Sequence, residues 1–255
     1  MLSTDRTRIL VDAGLSFKAL VRRLESVGEQ VDPLDAILIT HEHSDHAGTL
    51  ASLARRLRIP VYISRLTALA IDWGGYTPAL ECFQAGARFT VGDIEVDSFS
   101  IPHDAKDPVG FCCQAEGVKI AVAHDLGYLT ESVKFHLRRC DLILLESDYD
   151  VEMLKVGPYP WSVKQRVMSR VGHLSNDQVS DFLSDDFDGH ASQLVLGHLS
   201  EHNNHPEIVR LVATQALERR GLQTPLEIAS QSRPTEVYRF DRTVYAAGNG
   251  PHLDG

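Results

Sequence analysis

The stretch Ala36-Ile37-Leu38-Ile39-Thr40 runs directly into His41-Glu42-His43-Ser44-Asp45-His46. A short apolar run of this kind reads as a buried strand. The polar hexapeptide therefore sits on the loop at that strand's end, where an open site can form. Histidine and aspartate are the usual nitrogen and oxygen ligands for zinc and similar divalent ions. His41 and His43 lie two apart, whereas Asp45 and His46 are adjacent. One turn of loop can thus aim the first pair at one cation and the second pair at another. A merely polar loop has no reason to gather three imidazoles and two carboxylates in one hexapeptide with no basic run beside them.

Composition narrows the class. The chain has 255 residues, 43% of them hydrophobic, which is enough to build the core of one large α/β domain or two small ones. No apolar stretch reaches the length of a membrane span and no signal-peptide pattern is present, which points to a cytoplasmic protein without membrane association. Cys82, Cys112, Cys113 and Cys140 have neither metal nor disulfide spacing and read as reduced thiols. Cys112 and Cys113, neighbours on one strand, face opposite sides of it. The formal net charge of −10 argues against a protein that coats nucleic acid electrostatically. It leaves room for a nucleic-acid end entering a pocket whose metals supply the positive charge.

Working outward from the hexapeptide, strands and helices alternate. Arg8-Ile9-Leu10-Val11 is a short strand leading into Asp12-Ala13-Gly14. Ser16 caps a helix with Phe17, Leu20, Val21 and Leu24 on one face, which stops at Gly28. Leu50, Ala51, Leu53, Ala54 and Leu57 make a second amphipathic helix, and Val61-Tyr62-Ile63 a strand. Residues 88–101 and 109–123 read as hairpins breaking at Gly92-Asp93 and Glu116-Gly117. Leu142-Ile143-Leu144-Leu145 is a buried strand, and a helix follows the prolines Pro158 and Pro160. Ser175 with Gln178 forms a capping-box signature. Leu194-Val195-Leu196 is a strand, and Pro206 opens a helix running to about Arg220. Such a series gives an α/β chain of two packed sheets, each with helices on its outer face. It forms a single domain over residues 1–242, with a disordered tail over 243–255.

A two-metal site needs about seven ligands, more than one loop supplies. Three further candidates follow apolar strands: His103 after Ser98-Phe99-Ser100-Ile101-Pro102, Asp125 after residues 118–124, and His198 after Leu194-Val195-Leu196-Gly197. Strand ends hold side chains to the tolerance a metal site requires. The tetrapeptide Gly-His-Leu-Ser occurs twice, around His173 and His198. The second copy leaves a buried strand, so His198 is taken as the ligand and His173 as a group beside the substrate. Alternation along the strand points His124 away from the site.

These residues resemble the metallo-β-lactamase-fold superfamily, whose signature is His-x-His-x-Asp-His. A finer similarity is to its YycJ/WalJ-type branch of small exonuclease-like hydrolases. It is carried by Thr40 to His46, His103-Asp104-Ala105 with Asp107-Pro108-Val109-Gly110-Phe111, Asp125-Leu126-Gly127-Tyr128, Gly172-His173-Leu174-Ser175-Asn176, and His198-Leu199-Ser200 with Asn203-Asn204. The resemblance implies a four-layer αββα sandwich of two mixed sheets flanked by helices. It implies that His41, His43 and His103 hold one metal and Asp45, His46 and His198 a second, with Asp125 bridging and Asp12 orienting the loop. The family opens with a strand and a Gly/Ser-rich turn ahead of Asp12-Ala13-Gly14. Their lack implies that the true start lies upstream of Met1 or that the sheet is short of an edge strand. His124 stands where the family often has a small hydroxyl residue.

The chemistry expected of this set is hydrolysis of a phosphodiester by a hydroxide bridging two divalent ions, zinc first, with manganese or iron as alternatives. Asp45 orients the hydroxide, His173 gives a proton to the leaving oxygen, and Ser200 and Asn203 hydrogen-bond the phosphate. The partner expected is a nucleic-acid end or a small phosphodiester; the oligomeric state is left open, a homodimer included. A thioester or lactone hydrolase uses the same ligands, and a basic strip of Arg138, Arg139, Lys164, Arg166 and Arg170 beside His173 would favour phosphate over it. A regulatory module that keeps its metals only for folding is the third reading.

Overall fold

The computed structural model of the chain describes residues 1–31 and 34–240, so the tail expected over 243–255 lies outside the described residues. The first sheet runs β1 (Leu2–Ser3), β2 (Arg8–Val11), β3 (Ala36–Ile39), β4 (Val61–Ser64) and β5 (Leu80–Phe83), in that order. β1 pairs antiparallel with β2, and the other pairings are parallel. Its outer face carries α1 (Phe17–Ser26), α3 (Leu50–Leu57) and α4 (Arg65–Ala70), while α2 (Ser44–Ala47) is a single turn in the hexapeptide loop.

The second sheet contains β6 (Arg88–Val91), β7 (Ile94–Ser100), β8 (Val109–Ala115), β9 (Val118–Ala123), β10 (Leu142–Glu146), β11 (Gln193–Gly197) and β12 (Leu226–Ile228). These lie in the order β12-β11-β10-β9-β8-β7-β6. β6 to β9 form an antiparallel meander, and β9 to β12 are parallel. The outer face is covered by α5 (Glu131–Leu137), α8 (Asn176–Asp181) with the wide turn Phe182–Asp186, and α9 (Pro206–Arg219). Between β10 and β11 the chain also makes α6 (Val151–Val156) and α7 (Trp161–Val167).

Strand alternation explains why four layers stack. In β3 every residue is buried. Ile37 and Ile39 enter the core beneath the first sheet's helices. Ala36 and Leu38 enter the core between the sheets, with Val96, Val109 and Phe111. A strand covered on both faces reads as a continuous apolar run, as this one does. The neighbours Cys112 and Cys113 divide in the same way, the first toward the outer helices and the second between the sheets. The result is the αββα sandwich, and no described helix is long and apolar enough to cross a membrane.

Local signals worked where they were strong. Both hairpins turn at the expected glycines, Gly92 at φ 59° and Gly117 at φ 81°. Ser16 caps α1, and Ser175 with Gln178 makes a two-way capping box on α8. Several elements carried no usable pattern: β1, α4, β5, α5, α6 and β12. Each is short, and β5 is an edge strand with its first three residues exposed.

The ends of β2 and β3 in one sheet, and of β7, β9, β10 and β11 in the other, open on a common edge. A direct bond joins the sheets there: Val109 N–H donates to Thr40 O at 3.0 Å. The Asp12-Ala13-Gly14 turn presses on α2, with Ala13 N–H donating to His46 O at 2.6 Å. A Cβ on Gly14 would stand 1.6 Å from Asp45 O, so only glycine lets the two backbones come this close.

Candidate metal centre

The site is best built from the outside in. Asp12 has a left-handed backbone, φ 61°, at the end of β2. Its Oδ1 accepts from Thr40 N–H at 2.8 Å, and its Oδ2 lies 2.8 Å from His46 Nδ1. Thr40 Oγ1, which also donates to Asp12, lies 3.1 Å from His41 Nδ1. In the other sheet, His103 Nδ1 pairs with Gly172 O at 3.1 Å. His41, His46 and His103 thus each engage one ring nitrogen outward and turn the other to the centre, which is how metal-binding histidines are oriented.

The inward atoms form groups. Ligand atoms of His41, His43 and His103 lie within 4.8 Å of one another, and so do those of Asp45, His46 and His198. Asp125 stands between the groups. Its oxygens are 2.9 Å from His46 Nε2, 3.3 Å from His198 Nε2, and 4.0 Å from both His41 Nε2 and His103 Nε2. The buried Nε2 of His41 has no hydrogen-bond partner, and Nε2 of His46 meets Asp125 Oδ2 at 2.9 Å. Buried polar atoms are nearly always satisfied, so an imidazole nitrogen left unpaired across from a shared carboxylate fits a cation. Asp125 and His198 also have left-handed backbones, φ 58° and 57°. Non-glycine residues held there cost about 1–3 kcal/mol each and gather at functional sites.

All seven residues expected as ligands meet at this edge, with Asp12 behind them and His173 beside them. His173 Nδ1 lies 2.7 Å from Glu146 Oε1 and 3.4 Å from Asp125 Oδ1. Three participants were missed by sequence reasoning. Glu146 is fully buried; its Oε1 also lies 3.2 Å from His198 Nδ1, and its Oε2 accepts from Leu126 and Leu174 N–H. Asp148 lies 3.8 Å from His198 Nδ1. His124, set aside by alternation, is in the cluster: Nδ1 is 3.1 Å from Asp125 Oδ2, and its ring stacks on His46 and His198. The strand ends at Ala123, so the period-two rule does not reach His124.

The remaining expected groups lie as follows. Ser200 and Asn203 hydrogen-bond each other, with Ser200 Oγ accepting from Asn203 N–H and Nδ2, while Ser200 N–H donates to Asp148 O at 2.8 Å. They do not cap α9, which His205 does through Glu207 N–H. The five-residue basic strip does not converge. α5 runs back along the sheet, leaving Arg138 and Arg139 by Lys119 at the start of β9 and the far edge. Lys164 is buried and donates to Lys155 O. Only Arg166, paired with Asp104, and Arg170 remain at the rim.

Protonation in the metal-free protein follows from burial and crowding. Burial pushes His41 down to about 3. Burial also acts to lower His46, but bonds to Asp12, Asp125 and Asp45 outweigh it and raise it to about 12. His173, buried yet bonded to Glu146, rises to about 9. Glu146, which burial alone would raise, is brought down to about 2 by His173 and His198. Asp125 and Asp45 are held below the usual carboxylate range, the first against its burial by His198, His124 and His46 and the second by His198 and His46. Protons on imidazoles thus balance a group of carboxylates, a task that dications take over when ligands deprotonate.

Comparison with known proteins gives the family of the chain. Residues 7–199 match the Beta-lactamase superfamily domain. The chain is 37% identical over 223 residues to the exodeoxyribonuclease YycJ of Bacillus anthracis, covering 86% of this chain and 84% of that protein. It is 33% identical over 226 residues to the exodeoxyribonuclease WalJ of Streptococcus pneumoniae, covering 87% and 84%. Among solved structures, the metallo-beta-lactamase fold protein YhfI from Bacillus subtilis superposes with a TM-score of 0.65 at 17% identity, covering 87% of this chain and 84% of that one. The chain belongs to the beta-lactamase superfamily, and it is a hydrolase of the metallo-β-lactamase fold.

Proposed function

We propose that this hydrolase is a metal-dependent phosphodiesterase acting on nucleic-acid ends, an exonuclease-like enzyme with two divalent ions. The observation that carries the reading is the position of Asp125 between the groups His41/His43/His103 and Asp45/His46/His198. The names of the YycJ and WalJ relatives support the nucleic-acid substrate. A cytoplasmic location goes with that substrate. A donor set of imidazole and carboxylate without thiolate suits zinc, with manganese or iron as alternatives. Divalent ions held by His41, His43, His103, Asp45, His46, His198 and Asp125 would supply hydroxide at neutral pH and positive charge for the oxygens of an in-line displacement.

The protein's own groups have separate tasks. Asp12, through Thr40 and His46, fixes the hexapeptide loop. Glu146 fixes His173 and stands at His198 Nδ1. Asp45, whose side chain is 65% exposed, faces the solvent side, where it accepts a hydrogen bond from the attacking water and orients it. His173 has its Nδ1 held by Glu146, which leaves Nε2 to hand a proton to the leaving oxygen. The bond to Glu146 favours the charged imidazolium that a proton donor needs.

The test is turnover of a bis-phosphodiester reporter, of 5′-phosphorylated single strands and of a thioester, with metal content measured on the same samples. Phosphodiester turnover that a chelator removes and metal restores supports the proposal. Faster turnover of the thioester would replace it with the carbonyl-hydrolase alternative.

A further inference from the structure

We infer that Asn176 and Asn204 are positioning residues: their side-chain amides latch together the two loops that carry His173 and His198 and so set the separation of those imidazoles. This rests on the phosphodiesterase reading and adds to it the groups that hold its proton donor against a metal ligand. The starting point is the repeated Gly-His-Leu-Ser, at residues 172–175 and 197–200. Both copies bond to the same short segment, residues 146–149, at the end of β10. Asp148 N–H donates to Leu174 O at 2.9 Å, and Tyr149 O accepts from Asn176 N–H at 2.9 Å. Ser147 N–H donates to Gly197 O at 2.9 Å, and Asp148 O accepts from Ser200 N–H at 2.8 Å.

Each copy turns its histidine to one carboxylate oxygen. Glu146 Oε1 lies 2.7 Å from His173 Nδ1 and 3.2 Å from His198 Nδ1. The two rings stack with centroids 5.6 Å apart and planes 16° from parallel. A single oxygen touching both rings does not fix how far apart their loops stand. A second tie is needed, and the amide pair supplies it.

Asn176 follows the first copy directly, three residues after His173, and Asn204 lies six residues after His198. Asn176 Nδ2 donates to Asn204 Oδ1 at 3.0 Å, and Asn204 Nδ2 donates back to Asn176 Oδ1 at 2.9 Å. The pair is anchored to the shared segment. Ser147 Oγ donates to Asn176 Oδ1 at 2.8 Å, and Asn204 Nδ2 reaches Ser147 O and Asp148 O, each at 2.9 Å. His205 N–H, which can only donate, meets Asn204 Oδ1 at 2.9 Å and so fixes which end of that amide is the oxygen. Ser147, Asn176 and Asn204 are all buried. A buried polar network with its members paired holds one arrangement rigidly, and losing one member leaves the others unpaired where water does not reach.

The test uses the full chain. In the metal-stripped protein, the proton–nitrogen NMR signals of the imidazoles report the two rings directly. Asn176→Ala and Asn204→Ala should each shift the signals of both His173 and His198, and leave that of His41, at the end of β3, in place. With metal restored, each should lower kcat on a phosphodiester reporter about 10²-fold, the cost of a misplacement of about 1 Å. KM should stay within about twofold, since the loss falls on the transition state. The double variant should fall within about twofold of the worse single variant, because the two amides act as one unit. Where an alanine variant does not fold, Ser147→Ala, which removes one hydroxyl donor, should produce the same changes to a smaller extent. Signals of His173 and His198 unmoved in a folded variant, kcat unmoved although both rings shift, or losses that multiply in the double variant overturn the latch. Shifted rings in a protein whose wild type cleaves no phosphodiester support the latch and overturn the catalytic proposal instead.

Discussion

The two sheets contribute to the cluster in opposite ways. The first gives one contiguous loop, His41 to His46, braced from behind by Asp12, Thr40 and the close contact at Gly14. The second gives single groups from four separate strand ends: His103, Asp125, Glu146 and His198. A contiguous loop is a local structure that needs little of the fold to hold its shape. Dispersed groups exist as a site only when β7, β9, β10 and β11 are in register. Damage to the first half should therefore act locally through the loop, whereas damage to the second should spread to several groups at once.

The largest effects should come from one substitution in each half. His43→Ala and Asp125→Ala should each lower turnover of a phosphodiester reporter by at least about 10³-fold, several kcal/mol of transition-state stabilisation, with the far-ultraviolet CD spectrum unchanged. Near wild-type turnover in either variant removes the metal mechanism. His173→Ala should slow turnover by about 10²–10⁴-fold while metal content stays constant. A fall in metal content alongside rate makes His173 a ligand.

A sharper contrast is between the two bracing carboxylates. Asp12→Asn and Glu146→Gln should each cost about 10- to 100-fold in metal affinity or activity. Asp12 bonds one ligand histidine directly, and Glu146 stands against both His173 and His198. The Glu146 variant should therefore lose rate and metal together, and the Asp12 variant mainly metal. Equal profiles would erase the distinction between the halves.

The smallest effect lies at the far edge, where Asp93, in the β6–β7 turn, joins the sheets through Thr4, Thr7 and Arg6. The bond to Thr7, with help from Thr4 and Arg6, brings its carboxyl to about 2, below its ordinary value. A depressed folded-state pKa gives stability that is present above the ordinary carboxylate range and lost as pH falls toward about 2. Asp93→Asn should lower Tm slightly at pH 7, and the difference from wild type should close on acidification. A gap that persists at pH 2 assigns the effect to packing.

The same contrast explains what could be read from the sequence. The hexapeptide is legible because its ligands are neighbours behind an apolar strand, and His103, Asp125 and His198 follow from applying that strand-end rule again. Glu146 obeys the rule too, directly after Leu142-Ile143-Leu144-Leu145, but a lone glutamate has many uses and does not by itself mark a site. His124 could not be read, because the strand stops at Ala123 and Asp125 turns left-handed, so alternation ceases to apply. The fate of the basic strip depended on the direction of α5 and on the burial of Lys164, both set by packing between elements distant in sequence.

Metal stoichiometry, followed as turnover is restored to chelator-stripped protein, bears most directly on Asp125 as the shared ligand of two cations. Two ions per chain at full activity are expected, with His103→Ala retaining no more than one. Full turnover by the stripped protein, or saturation at a single ion in the wild type, would contradict it.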